Sequence, residues 1–197
     1  MYLCSIMARN KEFDIAERLG KAKDLFWEKG YNATSMHDLV DTMKLNPGSI
    51  YGTFGGKHQL FMESLKMYCA QSLVHYENAA TKAKSPLDAI KAIIQKAIER
   101  AFTEDKACLL VKSSFELAKS DAEAHALLKQ ESAALISMLE KLIRLAQAAD
   151  EINPNKDAKT MATFIVVSFA GFWQMQLLFN DETMVRNMSK LLLDSFR

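Results

Sequence analysis

The stretch LNPGSIYGTFGGKHQL (residues 45–60) contains four of the chain's seven glycines and one of its three prolines. Such backbone freedom suits either a loop that binds phosphate or a helix that approaches a large partner closely. A Walker loop requires Gly-Lys followed by Ser or Thr, whereas Gly56-Lys57 is followed by His58. The Gly-x-Gly-x-x-Gly pattern of dinucleotide-binding folds is also absent from the stretch. We therefore interpret it as the second helix of a helix-turn-helix pair.

Capping residues define two short helices at about residues 35–54. Ser35 followed by Asp38 is typical of a capping box, and apolar residues at helical spacing follow it. Asn46-Pro47 predicts the start of the second helix, because proline lacks only an N–H that would be unpaired there. Ile50 and Phe54 are predicted to pack inward. The outward residues of this helix are then small: Gly48, Ser49, Gly52 and Thr53.

The rest of the chain indicates an all-α protein. Hydrophobic residues make up 49% of the 197 residues, and glycine and proline are scarce. Further helix starts are predicted at Ser85-Pro86 and Asn153-Pro154. We expect about nine helices and no sheet.

Composition excludes several classes of protein. Cys4, Cys69 and Cys108 are far apart and form no Cys-x-x-Cys pair, so neither a disulfide framework nor a metal site is indicated. No nucleophile–base pair stands out, which argues against an enzyme, and no cofactor motif is found. The apolar run at residues 163–179 contains polar residues and is short for a membrane span. We expect a soluble, cytoplasmic protein with no membrane partner.

Bulk charge gives no indication of nucleic-acid binding, because the net charge is only +1. If the chain binds DNA, a local patch must do so.

The segment LFWEKGYNATSMHDLVDTMKLNPGSIYGTFGGKHQLF (residues 25–61) resembles the DNA-binding domain of the tetracycline-repressor (TetR/AcrR) family. The matching residues are Leu25-Phe26, Gly30-Tyr31, Thr34-Ser35, Leu39-Val40, Gly48-Ser49-Ile50-Tyr51, Phe54, Lys57 and Leu60-Phe61. The resemblance implies a helix-turn-helix DNA-binding domain over residues 9–65 and a divergent ligand-binding and dimerisation domain over residues 66–197. It further implies a homodimeric transcriptional repressor that a small apolar or aromatic molecule releases from a palindromic operator.

The resemblance also implies DNA contacts. Ser35, Tyr51 and Lys57 are similar to positions that contact phosphate. The positions that face base edges are Asn46, Pro47, Gly48, Ser49 and Thr53. Many relatives have Tyr-x-His-Phe where this chain has Tyr51-Gly52-Thr53-Phe54. With fewer side-chain donors, we expect contacts with thymine methyl groups and DNA shape to carry much of the specificity.

Candidates for the effector site come from the aromatic and methionine content of the second domain. They are Phe102, Cys108, Phe115, Met138, Phe169 and Trp173. Some relatives use a cysteine near position 108 to sense oxidants or electrophiles, so a thiol-based repressor is an alternative; a small buried hydrophobe is the simpler interpretation of Cys108. The alternative from another class is a helical-bundle enzyme or scaffold.

Residues 155–180 are apolar nearly all round, which predicts a helix buried on two sides, one of them by a second subunit. A helix at residues 183–196 is predicted to join it in a four-helix interface. The interface candidates are Phe172, Met175, Met184, Met188 and Leu192. The segment before Met7 has no counterpart in the family, so Met7 is a possible start of the protein.

Overall fold

The computed structural model describes residues 13–104 and 106–196, and over these residues it contains nine helices and no strand. The helices are α1 (Ile15–Lys29), α2 (Met36–Met43), α3 (Pro47–Phe54), α4 (Lys57–Ala80), α5 (Pro86–Thr103), α6 (Leu109–Leu117), α7 (Ala122–Ala148), α8 (Ala158–Phe179) and α9 (Glu182–Asp194). The predicted all-α fold is confirmed. The possible start at Met7 lies outside the described residues.

One hydrophobic core holds α1 to α4 together. Its centre is aromatic: the Phe26 and Phe61 rings meet edge to face with centroids 5.2 Å apart. The same core includes Leu109 and Leu117 of α6 and Leu127 of α7. The helix-turn-helix is therefore supported by helices from the second half of the chain.

A second core lies between α5, α7, α8 and α9, with Phe172 and Trp173 among its largest members. Helix α4 contributes Phe61 to the first core and Tyr76 to the second. It runs without a break through residue 65, where the sequence places a domain boundary. That boundary stays a prediction.

Helix α8 begins at Ala158, later than the predicted start at Asn153-Pro154. The Asp157 side chain accepts a hydrogen bond from the Thr160 N–H at 2.8 Å and is the N-cap. Asn153 instead closes a local turn by accepting from the Asn155 N–H. The Asn153 side chain therefore stabilises a turn before α8 and does not cap the helix.

By length and composition alone, α8 could cross a membrane. The core helix of a soluble protein meets the same criteria, and α8 buries Ile165, Phe169 and Phe172 in the chain's own core. Its other side carries large exposed apolar residues: Phe164, Val167, Leu177, Leu178 and Phe179.

Candidate nucleic-acid interface

Helix α3 is fixed by a capped start and a single buried anchor. The Asn46 side-chain oxygen accepts from the Ser49 N–H at 2.8 Å, and Pro47 occupies the first helical position, as predicted. Lys44 turns the chain from α2 with a left-handed backbone (φ 53°). Ile50 is fully buried beneath the helix. These contacts orient α3 without using its outer face.

The outer face of α3 contains no Asp, Glu, Lys, Arg or His. Asn46, Pro47, Gly48 and Gly52 are exposed, whereas Ser49 and Thr53 are half-buried. A Cβ atom added at Gly52 would meet nothing within 4 Å. Glycine is therefore not needed at this position for packing within the chain.

Tyr51 projects from α3 with 58% of its surface exposed, so it is not a core aromatic. Its ring lies against Gly56: a Cβ there would be 2.9 Å from Tyr51 Cε1. Gly56 also has a backbone φ of 106°, which favours glycine. The glycine therefore lets the Tyr51 ring approach the start of α4 closely.

Ser35 is engaged in the predicted capping box. Its hydroxyl accepts from the Asp38 N–H at 3.1 Å, and the Asp38 carboxylate accepts from the Ser35 N–H at 2.8 Å. Lys29 Nζ lies 2.7 Å from the same carboxylate. Hydrogen bonds from Lys29 and then from Ser35 hold the pKa of Asp38 well below its usual range. A phosphate at Ser35 would have to share a hydroxyl that already bonds to Asp38.

Lys57 opens α4 with its Nζ atom 4.4 Å from the centroid of the Tyr31 ring. The side chain is half-buried, and burial lowers its pKa while the Glu116 and Asp38 carboxylates oppose that shift. The ammonium is thus held beside the helix-turn-helix. Whether it contacts phosphate stays a prediction.

The two histidines of this region differ. His37 is exposed on α2 and lies 3.1 Å from Asp41. His58 is partly buried and bonds through Nε2 to the Asp121 carboxylate at 2.7 Å. Asp121 is the N-cap of α7. The structure therefore assigns His58 to the contact between α4 and the start of α7.

A segment that sequence reasoning missed, residues 106–116, joins the helix-turn-helix to the second core; we call it the α6 bridge. The Glu116 carboxylate accepts from the Tyr31 N–H at 3.0 Å and from the Asn32 N–H at 2.6 Å. Gly30 permits this approach, because a Cβ there would lie 2.9 Å from Glu116 Oε2. Lys112 Nζ donates to the Glu28 carbonyl at 2.8 Å.

The other end of the α6 bridge is held by two tryptophans. Trp27 of α1 donates from Nε1 to the Ala107 carbonyl at 2.7 Å. Trp173 of α8 donates from Nε1 to the Lys106 carbonyl at 3.3 Å. The same short segment therefore contacts α1 on one side and α8 on the other.

A cavity lies beside this end of the bridge, between α4, α5, α6, α7 and α8. Of the six predicted effector residues, Cys108, Phe169 and Trp173 line it. Phe102 and Met138 pack against the second core and are not among its lining residues. Phe115 is a correction: it is 91% exposed on the surface of α6 and cannot line an enclosed site.

Sequence reasoning missed the polar lining of the cavity, including Arg100, because a charged residue on an amphipathic helix normally faces water. Arg100 is buried and donates to the Glu104 carboxylate at 2.6 Å and to the Tyr68 hydroxyl at 3.4 Å. Its guanidinium also lies 5.6 Å from the Tyr76 ring centroid and 5.9 Å from that of Trp173. Burial raises the pKa of both tyrosines, which therefore remain protonated.

The structure also corrects the predicted dimer surface. Phe172 is 1% exposed, and Leu192 is likewise buried in the chain's own core. Met175 and Met184 are half-buried, and Met188 is partly exposed on α9. Several exposed apolar residues were not among the predicted interface residues: Phe164, Val167, Leu177, Leu178 and Phe179 on α8 and Leu191 on α9.

A capped helix-turn-helix whose recognition helix faces outward, carried on a larger helical unit, defines a DNA-binding transcriptional regulator. Residues 19–63 match the family "Bacterial regulatory proteins, tetR family", and residues 86–192 match "Tetracyclin repressor-like, C-terminal domain". The chain belongs to the TetR family, whose members are dimeric and bind DNA and small-molecule effectors. It is a DNA-binding transcriptional regulator.

Relatives and solved structures agree with this assignment. The chain is 30% identical over 167 residues to the HTH-type transcriptional regulator YezE of Bacillus subtilis, covering 81% of this chain and 84% of YezE. It is 28% identical over 160 residues to the HTH-type transcriptional repressor ComR of Escherichia coli, covering 80% and 76%. A cysteine mutant of the TetR-family regulator CifR, solved with 26-bp operator DNA, superposes with a TM-score of 0.83 at 24% identity, covering 96% and 100%.

Proposed function

We propose that this regulator is a homodimeric repressor that leaves a palindromic operator when a small apolar or aromatic molecule enters the cavity. It acts in the cytoplasm and carries out no catalysis. The observation that carries the proposal is the α6 bridge, because one segment contributes to the cavity wall and holds the helix-turn-helix.

On DNA, α3 enters the major groove with its outer face toward the bases. Asn46, Ser49 and Thr53 supply the polar groups of that face. Small neighbouring residues allow the helix backbone to approach closely. Tyr51 and Lys57 lie at its margin, where a phenol and an ammonium reach phosphates. Specificity then depends on close fit more than on charged readers.

Dimerisation uses the outer faces of α8 and α9. Val167 and Leu191 are 62% and 72% exposed, and covering such apolar surface is favourable by about 25 cal/mol per Å². A two-fold axis through this surface places one recognition helix on each half of a palindrome. Half-sites about 34 Å apart then require a fixed distance between the two α3 helices.

Release follows if the occupied cavity favours a different position of the α6 bridge. Cys108, Leu110 and Val111 form part of the cavity wall. Displacing them moves the carbonyls that Trp27 and Trp173 bond to, and moves Glu116 away from the turn after α1. An effector can shift this equilibrium only through its differential affinity for the two states.

Fluorescence anisotropy with labelled DNA from upstream of the protein's own gene tests the proposal. We expect a specific duplex to bind about a thousandfold more tightly than a scrambled duplex of equal length at the same salt concentration. Trp27→Phe, which keeps an aromatic side chain but removes the N–H that bonds to the Ala107 carbonyl, should bind DNA while responding less to effectors. Equal affinity for both duplexes would refute the proposal.

The thiol-sensing alternative gains support only from the position of Cys108, which is half-buried at the cavity wall and is the N-cap of α6. Cys69, which also lines the cavity, is a poor candidate because burial raises the pKa of its thiol. Peroxide should leave the operator affinity of the wild type and of Cys108→Ser equally unchanged. Oxidative release from the wild type, absent in Cys108→Ser but retained in Cys69→Ser, would favour the alternative.

A further inference from the structure

Some charged and polar groups of the cavity have ion-pair or hydrogen-bond partners within the described part of the chain, and others do not. Arg100 and Glu131 are the charged side chains that line it in the described part of the chain. Arg100 is ion-paired with Glu104, whereas Glu131 has no ion-pair partner among the described residues. We infer that the effector is a small amine whose ammonium group binds Glu131 and Ser72. This inference rests on the effector-cavity function proposed above and specifies its ligand.

Glu131 faces the cavity from α7. Within residues 13–104 and 106–196, no Lys, Arg or His nitrogen lies within the 4.0 Å of an ion pair with its carboxylate. The pKa of Lys66 is raised chiefly by its hydrogen bond to Glu63, and the charge of Glu131 adds to this rise. The Lys66 ammonium itself lies 2.8 Å from the Glu63 carboxylate, so it does not pair with Glu131. Glu131 also adds to the rise in the pKa of Cys69, which burial causes chiefly. The carboxylate thus acts on the cavity wall and has a vacant acceptor.

Ser72 lies on the same part of the wall as Cys69, one helical turn further along α4. Its hydroxyl oxygen is buried and has no hydrogen-bond partner among the described residues. A buried hydroxyl without a partner is unfavourable by about 1–3 kcal/mol, so a ligand that bonds to it gains affinity. An ammonium group has three donors and can bond to Ser72 and Glu131 together.

Arg100 does not make the cavity a site for anions. Both Nε and Nη2 bond to Glu104, which neutralises the guanidinium, and Nη2 also contacts the Tyr68 hydroxyl. The faces of Tyr76 and Trp173 lie against the same group. A carboxylate ligand would have to displace Glu104 while placing its own charge near Glu131. Like charges in a low-dielectric site repel strongly.

The remaining lining sets the shape and size of the ligand. Leu135, Val166 and Phe169 offer apolar surface for a flat hydrocarbon body. The cavity has a volume of about 80 Å³ and is partly open. A closed apolar cavity of about 150 Å³ accepts benzene, so a ligand with one aromatic ring fills this cavity and extends from its open side. The ligand class is therefore a compact arylalkylamine.

Three probes of one frame test the inference: 3-phenylpropylamine, 3-phenylpropanol and 3-phenylpropanoate. Isothermal titration calorimetry at pH 7 gives the affinity of each for the full-length dimer, up to about 10 mM. We expect the amine to bind at least tenfold more tightly than the alcohol, and the carboxylate most weakly. Glu131→Gln should remove the preference for the amine and leave the alcohol unchanged. Glu140→Gln, on the same helix and paired with Arg144 outside the cavity, is the matched control.

Ser72→Ala should lower the affinity for the amine severalfold. An alcohol or carboxylate that binds as tightly as the amine, an amine that does not bind, or a preference that survives Glu131→Gln would overturn the inference. Operator binding without any probe is measured on the same samples. Its absence would refute the proposed function, whereas operator binding with release by the alcohol alone would refute only the ligand class.

Discussion

Helices α3 and α8 each turn one face away from the chain's own core, and the two faces differ in chemistry. The α3 face consists of small residues such as Gly52 and Thr53, whereas α8 exposes Phe164 and Val167. A groove edged by phosphates and base hydrogen-bond groups favours a helix that approaches closely and loses little by being wet. Large apolar side chains gain only when another apolar surface covers them. The contrast indicates nucleic acid for α3 and a second subunit for α8.

The largest expected effect separates the two sides of α8. Phe172→Glu places a charge in the chain's own core, so we expect the free energy of unfolding to fall by about 4 kcal/mol or more. Denaturant unfolding followed by circular dichroism measures this loss. A Phe172→Glu protein as stable as the wild type would show that Phe172 is not a core residue.

On the outer side of α8, Val167→Glu should give a folded protein that sediments as a monomer. Operator affinity should fall at least a hundredfold, because one half-site alone loses the second set of contacts. Val74→Glu is the matched control, since Val74 is a similarly exposed valine on α4. If both variants remain dimers, the α8 face is not the subunit interface.

Gly52→Ala examines the outer face of α3. The added methyl group meets no atom of the chain within 4 Å, and alanine is favoured over glycine in a helix by about 1 kcal/mol. We therefore expect higher stability together with an operator affinity about tenfold lower, because the methyl separates α3 from the bases. Gly20→Ala on α1 has the same open surroundings and should gain stability without losing affinity. If Gly52→Ala binds the operator with unchanged affinity, α3 does not approach the bases closely at this position.

The smallest effect concerns Lys57. Lys57→Ala should reduce the slope of log affinity against log salt by about one unit per subunit, and so by about two units for the dimer, because one fewer counterion is released at each of the two contacts. The loss should be similar for operator and scrambled DNA. Lys91→Ala, an exposed lysine on α5, should leave the slope unchanged. If the slope is unaltered in Lys57→Ala, the ammonium does not contact phosphate and only packs on the Tyr31 ring.

The starts of α2 and α3 were predictable because their caps are local: Ser35 with Asp38, and Asn46 with Pro47. The inner and outer sides of α8 were not, since a helix that is apolar all round has no polar face to orient it. Arg100 was missed for a related reason. Its burial depends on Glu104 and on aromatic rings brought together from α4 and α8. Helix caps could be predicted because their residues are neighbours in the sequence. Contacts between distant helices could not be predicted.

Helix α4 begins beside the recognition helix and passes the cavity before it ends at Ala80. Its 24 residues form a rod about 36 Å long. A tilt of about 5° around the Ala80 end would carry the Lys57 end through about 3 Å, close to the 3.4 Å rise of one base pair. In a symmetric dimer both arms would swing, so the mismatch with the operator would double. A tilt of a few degrees in α4 is therefore enough to move both recognition helices out of register with the operator.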